Sequence, residues 1–206
     1  MSLSGHYISD EYTLRQKVAV MLSSNEQENV FRKSSLNERR ELLILMDTSA
    51  LMETPCSEMF IRKIQPALVR RGEKIVIPIS VMGELQNIAR SKSGSARSIK
   101  AGKVFRSVMD FWRHGVIRIY DNHGAGGIFA DEQFQVLAIG FSRSCRVIVI
   151  SQDYLLGQDL LTISRLPSVK GRRISVRKLN HDGTLSKVTW NGALYLSEDH
   201  EDDRRQ

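Results

Sequence analysis

Two apolar runs in this chain end on an aspartate. LLILMD stops at Asp47, with Thr48 and Ser49 directly behind it, and VIVISQD stops at Asp153, just after Ser151. Two further acids stand early in segments with helical spacing, Glu84 in PISVMGEL and Asp131 in GIFADEQFQVLAIG. Apolar residues on both parities mark each run as a strand covered on both faces, as in a parallel sheet flanked by helices. In such a sheet the ligand crevice lies beyond the carboxyl ends of the strands, where the following helices also begin. Asp47, Glu84, Asp131 and Asp153 can therefore converge. Like charges at close range repel, so a converged cluster calls for a cation. Oxygen ligands without neighbouring Cys or His favour Mg2+ or Mn2+, as one or two ions. Ions so held activate a water and stabilise charge developing on a phosphodiester, which is the chemistry of a nuclease. Taken singly, each acid has a plainer role. Asp47 and Asp153 can be turn or cap residues, Asp131 a charge at a helix N-terminus, and Glu84 a surface group.

The elements that must position these acids alternate between strand and helix. Residues 10–40 carry helical composition, with Leu14, Val18, Met21 and Leu22 at helix spacing, and read as an N-terminal helical extension over 1–40. Phe60, Ile64, Leu68 and Val69 predict a helix over 56–71, stopped by Gly72. KIVIPIS, 74–80, is a second strand, followed by a helix with Val81, Leu85 and Ile88 buried and Ser80 placed to cap it. A basic segment leads to a helix over 98–113 with Phe105, Met109 and Trp112 inward, then to a short strand, VIRIY, at 116–120. The run HGAGGIF reads as a flexible loop, because neither a GxGxxG spacing nor a GK[ST] follows it. Phe134, Leu137, Ala138 and Phe141 mark a helix over 130–143, and RVIVIS, 146–151, a fourth strand. ISVRKLN and LSKVTWN flank HDGT as an edge hairpin. This order predicts an α/β fold: a three-layer α/β/α sandwich around a central, mainly parallel sheet. The expected boundaries are the extension at 1–40, one domain at 41–195 and an acidic, disordered tail at 196–206.

Composition narrows the partners. A chain of 206 residues, 41% hydrophobic and 26% charged, fits one ordinary globular domain with an extension. No apolar stretch approaches the ~20 residues of a membrane span, and the N-terminus lacks a secretory pattern. Cys56 and Cys145 have no metal-ligand spacing and read as reduced thiols, so the expected compartment is cytoplasmic. The histidines show neither HxH nor HExxH, which argues against zinc. Net charge is +7, and its distribution is uneven. Arg90, Lys92, Arg97, Lys100, Lys103 and Arg106 lie in a stretch without any acid, and Arg165, Lys170, Arg172, Arg173, Arg177 and Lys178 form a second group. Each group is either a solvated face or a phosphate-binding surface; together they favour nucleic acid. Trp112 and Trp190 read as packing residues.

The four acidic motifs resemble a known family, the PIN-domain nucleases. Its pattern is a strand ending in Asp-Thr/Ser, an acid early in a following helix, an Asp opening a later helix, and a last strand ending in hydroxyl-x-Asp. LMDTSAL, PISVMGEL, GIFADEQFQVLAIG and VISQD occupy those places over roughly 40–180. The resemblance implies a PIN-like fold and metal-dependent endonucleolytic cleavage of single-stranded RNA. Asp47, Glu84, Asp131 and Asp153 would be the catalytic residues and hold Mg2+ or Mn2+. Thr48 or Ser49, with Ser151, match hydroxyl positions that orient the first aspartate and the metal-bound waters; local turn or cap bonds are their alternative. Asp159 and Glu132 resemble extra acids of some members and are not counted as essential. PIN domains often pair, so a homodimer is open, as is a protein partner on the N-terminal extension; a membrane is not expected. The extension, the basic connection after Glu84 and the C-terminal hairpin depart from the shortest members, and a stand-alone toxin is usually more compact. The second reading is a non-catalytic RNA-binding or assembly module that keeps the PIN fold.

Overall fold

Leu42–Met46 (β1) carries Ile44, Leu45 and Met46 into the core on both faces, and a strand buried this way needs neighbours on both sides. The computed structural model, which describes residues 42–91, 94–120, 130–142, 144–166 and 174–189, supplies them. Ile75–Pro78 (β2) pairs with β1 in parallel through Ile44↔Ile75, and Ile117–Tyr120 (β3) pairs with β2. On the other side Arg146–Ile150 (β4) runs parallel to β1 from Leu42↔Arg146 to Met46↔Ile150. Ile174–Leu179 (β5) lies parallel to β4, and Leu185–Lys187 (β6) closes the edge antiparallel to β5. The order is β3-β2-β1-β4-β5-β6, five parallel strands and one antiparallel. The expected α/β sheet and its edge hairpin are present.

Connections leaving β1 step toward β3, whereas those after β3 step toward β6. Right-handed crossovers therefore put the two groups of helices on opposite faces. On the first face are Cys56–Arg71 (α2), which follows the short turn of helix Thr48–Leu51 (α1), and Ala96–Arg113 (α4), which follows Ile79–Ser91 (α3). The Arg62 guanidinium of α2 lies 5.3 Å from the Phe111 ring centroid of α4. The second face holds Ala130–Ser142 (α5) and Tyr154–Ile163 (α6), packed on each other. Helix α2 ends where expected, on Gly72 in the left-handed region at φ 68°, with carbonyls of Leu68 and Val69 capped by backbone N–H groups.

Several side chains turn out differently from the sequence reading. In α4 the buried stripe is Ala101, Val104, Val108 and Phe111, so Phe105 and Met109 flank the core and Trp112 is 45% exposed. The helix starts at Ala96, where Ser95 caps it by accepting from the Ser98 N–H. Val69 of α2 is 68% exposed, past the turn that carries Leu68 inward. Ser80 does not cap α3, because the helix has already begun at Ile79; its hydroxyl bonds Gln133 instead. Helix α6 has no counterpart among the expected elements. The extension before residue 42, the glycine run, Trp190 and the acidic tail lie outside the described residues.

The β5–β6 turn is fastened to α2. Asp182 accepts from the Thr184 hydroxyl at 2.6 Å and amide at 2.9 Å, which holds its carboxyl below the usual carboxylate range. Cys56 Sγ donates to the His181 carbonyl, and Gly183 sits at φ 71° against the start of α2. A Cβ there would stand 3.1 Å from Met59 Cβ and 3.3 Å from the Phe60 nitrogen. Gly183→Ala combines that clash with a disfavoured φ, and should lower unfolding free energy by about 2 kcal/mol. The check is the urea midpoint: a wild-type value would mean that the turn does not bear on α2.

Candidate active site

Parallel β1 and β4 end side by side at the point where the strand order reverses, and Asp47 and Ser151 are the first residues past their ends. The Asp47 N–H donates to the Ile150 carbonyl and the Ser151 N–H to that of Arg177, so both residues continue the ladder and have fixed backbones. Asp47 is 6% exposed, Thr48 5% and Ser151 0%. A buried carboxylate needs donors. Asp47 Oδ2 takes them from the Ser49 hydroxyl, the Ser49 N–H at 3.3 Å and the Ser151 hydroxyl at 2.9 Å. These bonds cap α1 from Asp47 and use one carboxylate oxygen only.

The two serines also hold the other aspartate. Ser49 Oγ accepts from the Gln152 N–H at 2.9 Å and the Asp153 N–H at 3.3 Å; Ser151 Oγ accepts from the Asp153 N–H at 2.9 Å. Asp153 is exposed and caps α6, with Oδ1 accepting from Leu155 and Leu156 N–H groups at 2.8 and 3.1 Å. Its other oxygen has no hydrogen-bond partner among the described residues. Thr48 turns the opposite way and donates to Glu84 Oε2 at 2.6 Å. Of the two hydroxyls expected as alternatives beside the first aspartate, Ser49, with Ser151, bonds Asp47, while Thr48 bonds Glu84.

Asp47, Glu84 and Asp153 thus belong to one hydrogen-bonded neighbourhood at the carboxyl edge. Each offers one oxygen to the protein and keeps one unbonded, and none makes an ion pair among the described residues. Asp131 is the second residue of α5, and its side chain, with that of Glu132, lies outside the described residues. The Ser80–Gln133 bond does join the start of that helix to the start of α3. Asp159 is half-buried within α6. Tyr120, at the same edge on β3, packs edge-on to Phe141, and burial pushes its hydroxyl pKa up, partly offset by Arg118.

The donor set suits a hard cation: three carboxylates, all oxygen, uncompensated by any of the described basic groups. Among the described residues, however, no three His, Cys, Asp or Glu side chains are gathered closely enough to enclose an ion.

The described basic residues are distributed over more than one element. Helix α4 has 18 residues, about 27 Å, and ends just before β3, whereas β2 and β3 span about 13 Å. Helix α3 leaves the carboxyl end of β2, and its fully buried residues, Val81, Met82 and Leu85, are all in its first half. The α3–α4 pair therefore projects past the carboxyl edge, with exposed Arg90 and Arg97 on either side of its turn and half-buried Lys100 one helical turn further on. Lys103 and Arg106 lie instead on the outer face of α4, in a row with Ile99, Asp110 and Arg113. Lys92, Lys170, Arg172 and Arg173 lie outside the described residues, and Arg177 and Lys178 belong to β5.

No family model matches the chain, and no curated protein does. Among solved structures it is similar to the PIN domain endonuclease Utp24, at 16% identity and TM-score 0.43, over 71% of this chain and 96% of that one. It is also similar to the T5 D15 protein, co-crystallized with metal ions, at 13% identity and TM-score 0.36, over 67% of this chain and 54% of that one. At such identities the chemistry has to come from the chain's own side chains.

Ser49 is the residue to remove. Ser49→Ala takes a donor from buried Asp47 and an acceptor from the Gln152 and Asp153 amides, and should cost about 1–3 kcal/mol of stability. Thr48→Val removes a bond to an exposed carboxylate that water can replace, and should cost less than about 1 kcal/mol. Denaturant unfolding of both variants checks the order; a reversed order would move the hub of the site from Ser49 to Thr48.

Proposed function

We propose that this protein is a metal-dependent endoribonuclease that cleaves single-stranded RNA with Asp47, Glu84, Asp131 and Asp153. The observation that carries it is the set of three acids at the strand-order reversal, each half-used by the protein and none paired with a described base. Left without a counter-charge, such a set is costly; Mg2+ or Mn2+ held by the four acids supplies one. When bound, such an ion polarises the phosphate and lowers the pKa of a water nucleophile. The chain does the rest. Ser49 and Ser151 keep Asp47 Oδ2 occupied, so that Oδ1 faces outward, and Thr48 restrains Glu84 beside it. Glu84 and Asp153, both exposed, would keep their unbonded oxygens for the ion; the attacking water would lose its proton to solvent as its oxygen bonds to phosphorus, and the ester oxygen whose P–O bond breaks would take a proton from solvent. Arg90, Arg97 and Lys100, with Lys92 between them in sequence, hold the RNA backbone at the projecting α3–α4 turn.

A second reading, a non-catalytic RNA-binding or assembly module, is favoured by one observation: the described acids are not gathered into an ion cage. The two readings differ in what metal does. Two buried cysteines, neither in a disulfide, suit a reducing compartment such as the cytoplasm. No helix among the described residues is long and apolar enough to cross a membrane. A homodimer and a partner on the N-terminal extension stay within the proposal.

With Mn2+ and labelled single-stranded RNA, wild-type protein should cleave, while Asp47→Asn and Asp153→Asn should each fall at least about 100-fold. Equal cleavage by all three would identify a contaminant and end the nuclease reading. Metal-independent binding with no cleavage would transfer the case to the second reading. Arg90→Ala with Arg97→Ala should weaken binding and flatten the slope of log K against log salt by about 0.7 for each phosphate no longer neutralised. An unchanged slope would remove the α3–α4 turn from the RNA path.

A further inference from the structure

Tyr154 follows Asp153 directly and opens α6, yet it is not drawn into the core: 40% of its surface is exposed, and Leu155 beside it is 68% exposed. Below it the helix closes on the sheet. A Cβ on Gly157 would stand 3.5 Å from Val176 Cγ1, so α6 sits against the β5 face that carries Val176. Side chains alternate along a strand, which puts Lys178 on that same face, one pleat nearer the carboxyl edge. Its ammonium lies 5.9 Å from the Tyr154 ring centroid, within cation–π range.

The placement is rigid. The carbonyls on either side of Lys178 are both tied to the loop that carries Asp153: Arg177 accepts from the Ser151 N–H at 3.1 Å, and Leu179 from Gln152 Nε2 at 2.6 Å. The backbones of Lys178 and Asp153 therefore keep a fixed spacing, and Tyr154 follows Asp153 directly in sequence. An exposed aromatic ring with a cation over it matches the two needs of a single-stranded nucleotide: a π-face for the base, on the side away from the ammonium, and a positive charge for the phosphate.

We propose that Tyr154 and Lys178 form a nucleotide subsite on the β5 side of the acids, in which a base of single-stranded RNA stacks on Tyr154 and the adjoining phosphate meets Lys178. The proposal rests on the reading of the acids as an RNA site. It adds a determinant of strand type, since a base within a duplex is already stacked on its neighbours and cannot offer its face to the ring.

Binding of a short labelled single-stranded RNA to Asp47→Asn protein, followed by fluorescence anisotropy, tests it. In that background Tyr154→Ala should weaken binding about 10-fold, and Tyr154→Phe should stay within about 2-fold. Lys178→Met should lessen the salt slope by about 0.7. Binding of the matched duplex should not respond to Tyr154→Ala. The subsite is overturned if Tyr154→Ala binds like its parent, if Phe fails as Ala does, or if duplex and single strand lose equally, which would mark a structural role. Absence of any binding by the parent protein overturns both the subsite and the RNA reading, whereas wild-type cleavage together with an indifferent Tyr154→Ala overturns the subsite alone.

Discussion

Asp47 and Ser151 are 104 positions apart, and the site depends on the hydrogen bond between their side chains. That bond is available only because β1 and β4 are adjacent and parallel, with Met46 level with Ile150, so that both strands deliver their next residues to one place. A shift of one residue in this register would turn every side chain to the opposite face and bury the carboxylate under a helix. The central strands resist such a slip because both of their faces are apolar and covered. Positioning of the acids is therefore a by-product of core packing: Leu45, Met46, Val149 and Ile150, all fully buried, decide where Asp47 stands.

Cap and site are compatible descriptions of the same aspartates. Asp47 caps α1 and Asp153 caps α6. A capping carboxylate turns one oxygen to the helix amides and the other away from them. The plain structural role thus produces what a metal ligand needs, a carboxylate fixed in direction with a lone oxygen. What separates a site from two ordinary caps is that both helices begin at neighbouring strand ends and share Ser49 and Ser151 as donors and acceptors.

Strand identity and order along the chain are legible because burial on both faces writes a continuous apolar run, and Asp47 and Asp153 at the ends of two such runs are legible with them. Pairwise order and hydroxyl partnership are not. Nothing in the string DTS shows that Ser49 turns toward β4 while Thr48 turns toward α3; that is set by α1, a helix of four residues too short to leave a periodic signature. The rotational phase of α4 is misread from sequence because Phe105, Met109 and Trp112 include three of its largest apolar side chains, whereas the buried row is Ala101, Val104, Val108 and Phe111, mostly small residues. Helix α6 does carry its signals, Asp153 at the cap and Leu156, Leu160 and Ile163 at helix spacing. They are masked because LLGQDLLTI follows directly on an apolar strand and continues its composition.

The strand order also gives the edge a direction. The α3–α4 turn belongs to the β2–β3 side, the acids to β1 and β4, and Lys178 to β5. Neighbouring strands are about 4.8 Å apart, so β2 and β5 are separated by about 14 Å across three spacings, a few nucleotides of an extended single strand. On the proposed reading, a strand crossing the carboxyl edges would meet Arg90 and Arg97 first, then the acids, then Tyr154. A duplex would need room on both sides of the acids, and the projecting α3–α4 pair stands on one of them. Strand preference would then have two physical sources, the height of that hairpin and the open ring of Tyr154, and neither would involve the acids proposed to carry out the cleavage.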